Sequence, residues 1–127
     1  MAKANQNVGD DAATPVVRGT KIALVFNVTP LATGEVSSAT YRFLDEDPEV
    51  PGADEIFTKT SGGGGITFAD GATAGVDFTV VIDKADLAPL FAATYYHQLE
   101  ITKSNADELV VSTGTFQLTA GAPALNT

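Results

Sequence analysis

The chain has 127 residues, the size of one compact domain that buries about two-thirds of its unfolded surface in a single core. Cysteine is absent, which excludes disulfides, thiolate metal sites and cysteine nucleophiles. Sixteen acidic and seven basic residues give a net charge of -9, which would repel a nucleic-acid backbone and suit a basic binding partner. No apolar run reaches the ~18 residues that span a bilayer, so we expect no membrane partner.

Residues 1–17 are predicted to form an extended N-terminal arm. Residues 1–15 are small and polar, and their apolar residues follow neither a strand period nor a helix period. They also lack the apolar stretch of a secretory signal, so we expect synthesis in the cytoplasm. We expect removal of residues 1–15 to leave the melting temperature nearly unchanged. The predicted partner-docking residues are Val8, Pro15, Val16, Val17 and Arg18.

Alternation of apolar and polar residues predicts a series of strands after the arm. The first begins at Ile22, places Phe26 and Val28 on its apolar face, and ends before Pro30. The other predicted strands are Val36–Leu44, Ile56–Thr60, Val76–Ile82, Tyr95–Ile101 and Glu108–Thr119. Short strands at intervals of about ten residues indicate an all-β fold, a single antiparallel β-sandwich over residues 18–119, followed by a C-terminal tail over residues 120–127.

The connections between these strands contain recognisable turn signals. The glycine run 62–65 predicts a hairpin into Ile66, and Asp70-Gly71 predicts a second turn. Asp83 is a predicted N-cap for one helical turn, after which Leu87 and Leu90 would close over the core. No helical repeat separates the strands, which again favours a sandwich.

His97 is the only histidine and therefore the first candidate for a general base or a metal ligand. It shares strand parity with Leu99 and Ile101, which predicts an ordinary strand residue that points inward or lies at a strand end. A zinc site needs more nitrogen or sulfur ligands than one histidine supplies, and no serine lies in a nucleophile elbow. We predict no catalytic residue, no cofactor and no enzymatic activity.

The acidic loop over residues 45–55 is the one candidate metal site. Asp45, Asp47 and Glu49 alternate, and carboxylate oxygens of this type bind calcium. The loop lacks the glycine and the final glutamate of an EF-hand, and its two prolines restrict wrapping around an ion. The favoured interpretation is a solvated acidic loop, with calcium binding as the alternative.

Two further ligand classes can be weighed from the sequence. The run of four glycines lacks a following Lys-Ser or Lys-Thr and precedes no helix, so it does not predict a phosphate site. Sugar-binding sandwiches stack rings on exposed aromatic side chains, whereas this chain has no tryptophan and its phenylalanines mostly fall at core parity.

The residues Leu90, Thr94 and Tyr96 resemble the spacing before the penultimate strand of fibronectin-type sandwiches, where a tyrosine hydroxyl ties back the corner. Strand alternation instead favours Tyr95 as the inward residue, and the sequence leaves the choice open.

The stretch from Arg18 to Thr119 resembles small immunoglobulin-like proteins of tailed bacteriophage virions. The shared features are the opening RGTKIALVFNV, the hairpin SGGGGITFADG, the bend from Asp83 to Leu87, the strand from Tyr95 to Ile101, and the Gly-Thr-Phe of residues 114–116. The resemblance implies an immunoglobulin-like sandwich of the kind found in head decoration proteins, head fibres and adaptor domains of tails and baseplates.

The resemblance also implies a function and a partner. We expect a non-enzymatic virion protein that decorates or cements the capsid or forms a head fibre, made in the host bacterial cytoplasm and located in the virion. Its partner would be the major capsid protein or a tail or baseplate protein, and it would form homo-oligomers within the particle. The alternatives are a tail or baseplate adaptor and, from another class, a carbohydrate-binding or adhesion module.

Overall fold

A computed structural model describes residues 4–5, 7–8, 16–17, 21–47, 51–72, 74–88 and 90–119. Within these ranges, no helix has the length and hydropathy that crossing a bilayer requires. A 3-10 turn covers Thr33–Glu35 and one short helix, α1, covers Lys84–Leu87. The strands are β1 (Ala4–Asn5), β2 (Val16–Val17), β3 (Ile22–Val28), β4 (Val36–Leu44), β5 (Glu55–Ser61), β6 (Gly65–Asp70), β7 (Val76–Ile82), β8 (Ala93–Lys103) and β9 (Glu108–Thr119).

The strands form an immunoglobulin-like β-sandwich, which confirms the predicted fold class. Hydrogen bonds connect them in the order β1-β9-β8-β4-β5-β6-β7-β3, and β2 also pairs with β9. Only two residue pairs join β5 to β6, so the path divides there into a larger sheet ending at β5 and a smaller sheet of β6, β7 and β3. Phe26 of the smaller sheet contacts Tyr41 of the larger one, at 6.0 Å between ring centroids, so the two sheets face each other across one core.

The core follows from the alternation in the sequence. In β7, Val76, Phe78, Val80 and Ile82 are completely buried, while the residues between them are partly exposed. This strand lies between β3 and β6, with continuous antiparallel register to both, so its inward side chains meet the larger sheet at the centre of the sandwich. Burial of such apolar side chains stabilises the fold by about 1.5–3 kcal/mol each.

The predicted bounds of β4, β7 and β9 are confirmed, and so is the helical turn after β7. The Asp83 backbone N–H donates to Asp86 Oδ2 at 2.8 Å, which is one half of a capping box at the start of α1. Leu87 is fully buried and Leu90 packs against the core, as predicted. The helical turn therefore closes one end of the sandwich.

The hairpin predicted at the glycine run is wrong. β5 and β6 run parallel where they meet, with Thr60 opposite Gly65 and Ser61 opposite Ile66. Gly62, Gly63 and Gly65 have φ values of 78°, 100° and 104°, which residues with a Cβ atom rarely adopt. These left-handed residues form a tight loop through which the chain passes from the larger sheet to the smaller one.

The N-terminal segment also differs from its prediction as an arm without its own core. β1 and β2 pair in parallel with β9, and Val8 bridges to Phe116 between them. Val16 is only 7% exposed and belongs to the hydrophobic core. The described part of the segment therefore belongs to the sandwich, because the long strand β9 offers it a free edge.

Gly75 is predicted to be the glycine least tolerant of substitution, in the turn that precedes β7. Its φ is 73°, and an added Cβ would overlap Thr29 Cγ2 and the Val28 carbonyl oxygen. Gly75→Ala should lower the free energy of unfolding by about 1–3 kcal/mol in urea denaturation. The matched control is Gly34→Ala, where no atom lies within 4 Å of the added carbon and a change below about 0.5 kcal/mol is expected. Equal effects of the two substitutions would contradict the positions of these backbones.

Candidate functional site

His97 lies in the centre of the core, on β8. Its exposed fraction is 0%, and its Nδ1 is hydrogen-bonded to the Tyr41 hydroxyl at 2.9 Å. The ring meets Phe116 at 5.8 Å and Tyr41 at 5.5 Å between centroids, both in edge-to-face geometry. The prediction that His97 lies on a strand at the parity of Leu99 and Ile101 is confirmed, and of the two positions left open it takes the inward one.

The corner tyrosine is Tyr95. Its hydroxyl donates to the Phe91 carbonyl oxygen at 2.8 Å, four residues upstream, and its ring packs against Phe43 at 5.2 Å between centroids. Tyr96 lies on the opposite face of β8, paired with Leu44 of β4. The sequence left the choice between Tyr95 and Tyr96 open, and the structure shows that Tyr95, the residue that strand alternation favours, ties back the corner.

His97, Tyr41 and Phe26 occupy the place of the disulfide core of antibody domains. In those domains the second cysteine of the disulfide between the sheets lies two residues after the corner tyrosine, and a tryptophan of strand C packs on the disulfide. His97 lies two residues after Tyr95, Phe26 faces it from the smaller sheet at 5.7 Å, and Tyr41 of β4 contacts both rings. The Phe26 ring thus packs across the two sheets of this cysteine-free chain, and the hydrogen bond between Tyr41 and His97 joins neighbouring strands of the larger sheet.

Burial raises the pKa of the Tyr41 hydroxyl well above its ordinary value. The unfolded chain loses this proton near pH 10, whereas the folded chain keeps it. The resulting stabilisation is fully present below about pH 10 and is lost as pH rises through the folded pKa. Above about pH 10, wild-type stability should therefore fall by up to about 1.4 kcal/mol per pH unit through Tyr41 alone.

The check is a series of urea denaturation curves at increasing alkaline pH for the wild type and for Tyr41→Phe. The variant lacks the titrating group but keeps the ring. Its free energy of unfolding should therefore fall less steeply with pH than that of the wild type, because its unfolding releases about one proton fewer. The remaining tyrosines and the lysines are common to both proteins. Equal slopes would contradict a buried, protonated Tyr41 hydroxyl.

The predicted calcium candidates are only partly described. The Asp45 carboxylate accepts a hydrogen bond from the Asp54 backbone N–H at 2.9 Å, and the Asp45 backbone N–H donates to the Asp54 carbonyl at 3.1 Å. Asp47 is exposed, and Glu49 lies outside the described residues. Within the part of the chain that the structure describes, no three acidic, histidine or cysteine side chains are grouped as a metal ion would require. The resolved role of Asp45 is to close the base of the acidic loop.

Two of the five predicted docking residues, Val8 and Val16, need correction. Val8 is half-buried, its N–H donates to the Thr115 carbonyl at 2.9 Å, and its carbonyl accepts from the Gln117 N–H at 2.8 Å. Val16 lies in the core, so neither valine is displayed for a partner. The strands that pair in parallel with β9 are too short to show a periodicity in the sequence, so this pairing could not be predicted from it. Val17 lies opposite Thr119 on β2, while Pro15 and Arg18 lie outside the described residues.

Several polar side chains on the described surface are bonded to one another. On the outer face of the larger sheet, Arg42 joins Glu55 at 3.2 Å and Glu100 at 2.9 Å, which ties β5, β4 and β8 together. Two open clefts are lined by further pairs, Lys103 with Glu35 at 3.7 Å and Asn27 with Asp77 at 2.8 Å. Exposed pairs of this kind contribute about 0–1 kcal/mol each, so they hold local geometry more than global stability.

Sequence reasoning missed one feature of the surface. Phe91 is 81% exposed, far more than any other aromatic side chain in the described ranges. It lies between Leu90, which packs on the core, and Ala92, which is exposed. The segment from Leu90 to Ala93 contains no charged residue, and this run of small and apolar residues after a helical turn was the available signal.

No protein-family model and no curated protein matches the chain. Among solved structures, the fold is similar to CopC from Methylosinus trichosporium OB3b, at 11% identity over 96% of this chain and 88% of that chain, with a TM-score of 0.38. It is also similar to the extracellular domain of the voltage-gated sodium channel beta4 subunit, which forms parallel homodimers, at 10% identity over 96% and 97% of the two chains and a TM-score of 0.38. We draw no functional conclusion from similarities at this level.

Proposed function

We propose that this protein is a non-enzymatic structural component of a tailed bacteriophage virion. Decoration or cementing of the capsid, or a head fibre, is the first assignment, and a tail or baseplate adaptor is the second. The protein acts by binding the major capsid protein or a tail or baseplate protein, in many copies per particle.

The observation that carries this proposal is the burial of His97. The only imidazole of the chain is completely enclosed and hydrogen-bonded to the buried Tyr41, so it serves packing between the sheets. The one buried serine in the described ranges, Ser112, lies under the sheet at 2% exposure. The only histidine is therefore enclosed in the core, away from any substrate at the surface, which favours a role performed by surfaces.

The resemblance to immunoglobulin-like virion proteins supports the same assignment. Two of its motifs fall on elements that define the sandwich: the Asp83–Leu87 bend is the cap and turn of α1, and the strand from Tyr95 to Ile101 is the centre of β8. The net charge of -9 would repel copies of the chain from one another in solution while favouring a basic surface on a shell.

Quantitative mass spectrometry of gradient-purified phage particles tests the proposal. We expect the chain to co-purify with the particles. A copy number comparable to that of the major capsid protein would indicate decoration, and a copy number comparable to that of tail proteins would indicate the adaptor. Failure to find the chain in particles whose genome encodes it would overturn the proposal.

The carbohydrate-binding alternative makes a different prediction. Sugar rings stack on exposed aromatic platforms, and among described residues only Phe91 offers a largely exposed aromatic ring. Binding to a glycan array in a saturable manner, abolished by Phe91→Ala, would favour that class over the virion assignment.

A further inference from the structure

Phe91 is an apolar side chain displayed to solvent at the end of the sandwich where β8 begins. Its exposed fraction of 81% exceeds that of Val25, at 51%, which is the other large hydrophobic residue that the described part of the chain exposes. A phenylalanine left in water forgoes about 1.5–3 kcal/mol of burial free energy, which a binding partner could recover.

The backbone of Phe91 is held in place from both sides. The Tyr95 hydroxyl donates to the Phe91 carbonyl at 2.8 Å, and the Leu90 N–H donates to the Leu87 carbonyl at 3.0 Å. The Leu90 side chain packs against the core, so the preceding residue is anchored as well. Because its backbone is already fixed, Phe91 would lose less conformational entropy on binding than a residue of a mobile loop, which favours a role as an interface hot spot.

Acidic residues flank this end of the sandwich. Leu44 lies opposite Tyr96 in an antiparallel pair, so the loop that follows β4 leaves the larger sheet at the same end as the segment before β8. That loop carries the exposed carboxylates of Asp45, Glu46 and Asp47. The surface thus combines one exposed apolar side chain with negative charge. A second copy of the same acidic end would be repelled, whereas a basic partner would be attracted.

We propose that Phe91, with the flanking acidic loop over residues 45–47, is the docking surface for a virion shell protein that offers an apolar pocket bordered by basic residues. The partner's identity rests on the function proposed above, whereas the location of the surface rests on Phe91 itself. Phe91 enters the pocket and fixes the position. The carboxylates speed the encounter and make it sensitive to salt.

The test uses phage particles that lack the chain and purified wild-type or variant protein, with bound protein measured after sedimentation of the particles. Phe91→Ser should weaken binding roughly 10- to 100-fold, while Phe91→Leu should retain most of the affinity. Val25→Ser is the matched control, because it removes the other exposed hydrophobic side chain and should bind like wild type. All three variants should keep the wild-type melting temperature, and wild-type binding should weaken as salt is raised.

The outcomes separate the two proposals. Wild-type binding that Phe91→Ser leaves unchanged would overturn the docking surface and leave the virion assignment intact. No wild-type binding to the particles would overturn both. Equal losses in Phe91→Ser and Val25→Ser would also overturn the inference, since they would indicate non-specific hydrophobic adsorption.

Discussion

Tyr41→Ala should lower the free energy of unfolding by about 3–5 kcal/mol, as large-to-small substitutions of buried aromatic residues do. The Tyr41 side chain is completely buried and contacts Phe26 and His97, the two residues that stand where antibody domains have their disulfide. Removing the ring leaves a cavity between the sheets and takes the hydroxyl away from His97 Nδ1. Chemical denaturation followed by circular dichroism measures the loss.

A double-mutant cycle separates the hydrogen bond from the packing. Tyr41→Phe and His97→Leu should each cost about 1–3 kcal/mol, because each leaves a polar partner buried and unsatisfied. The double variant should lose less than the sum of the two, by about 0.5–3 kcal/mol, since neither polar group then remains. Strict additivity would contradict a direct bond between the two side chains.

Removal of residues 1–20 should destabilise the domain by about 2–4 kcal/mol, through the burial lost at Val8 and Val16 and the hydrogen bonds lost along β9. The expectation from sequence concerned residues 1–15 alone, whose removal was expected to leave the melting temperature nearly unchanged, whereas this longer truncation also removes the core residue Val16. The measurement is urea denaturation of the truncated and full-length chains. An unchanged midpoint would contradict the parallel pairing of β1 and β2 with β9.

A point substitution provides the control for the truncation. Val16→Ala removes part of a core side chain that is 7% exposed and should cost about 0.5–1.5 kcal/mol, the range of small aliphatic truncations. Val25→Ala makes the same change at a side chain that is 51% exposed and should stay within about 0.5 kcal/mol. Equal effects would place Val16 outside the core.

Strands with strict alternation were predictable, because one face of each must be buried. Val76–Ile82, in which buried and partly exposed residues alternate throughout, was assigned from the sequence with the bounds that the structure shows. The helical turn after Asp83 was predictable for a different reason, since a capping residue precedes an interruption of the strand period. Local chemistry sufficed in both cases.

The elements that the sequence did not predict depend on partners far away in the chain. β1 and β2 contain two residues each and are strands only because β9 lies beside them, more than a hundred residues later. The glycine run specifies left-handed backbone, yet that permits a sheet-to-sheet crossing as readily as a hairpin. Neither outcome can be decided without the tertiary structure.

The candidate site was likewise predictable only in part, because local pattern sufficed for some features and tertiary structure was needed for others. Parity limited His97 to an inward position or a strand end, and its bond to Tyr41 depends on the register between β4 and β8, 56 residues apart in sequence. The corner tyrosine was narrowed to two residues and settled by the Tyr95–Phe91 bond. Exposure of Phe91 had one signal in the sequence, the uncharged run from Leu90 to Ala93, but that run does not by itself distinguish an exposed phenylalanine from a core one.

The central claim is that a single chain forms the complete sandwich, including the N-terminal strands β1 and β2. Amide hydrogen exchange of the isolated monomer tests this claim most directly. The Val8 and Gln117 amides, which bond between the N-terminal segment and β9, should be protected to the same degree at all protein concentrations. Exchange of these two amides at the rate of an unstructured peptide, with protection acquired only on bound particles, would contradict this structure and return the segment to the role of a docking arm.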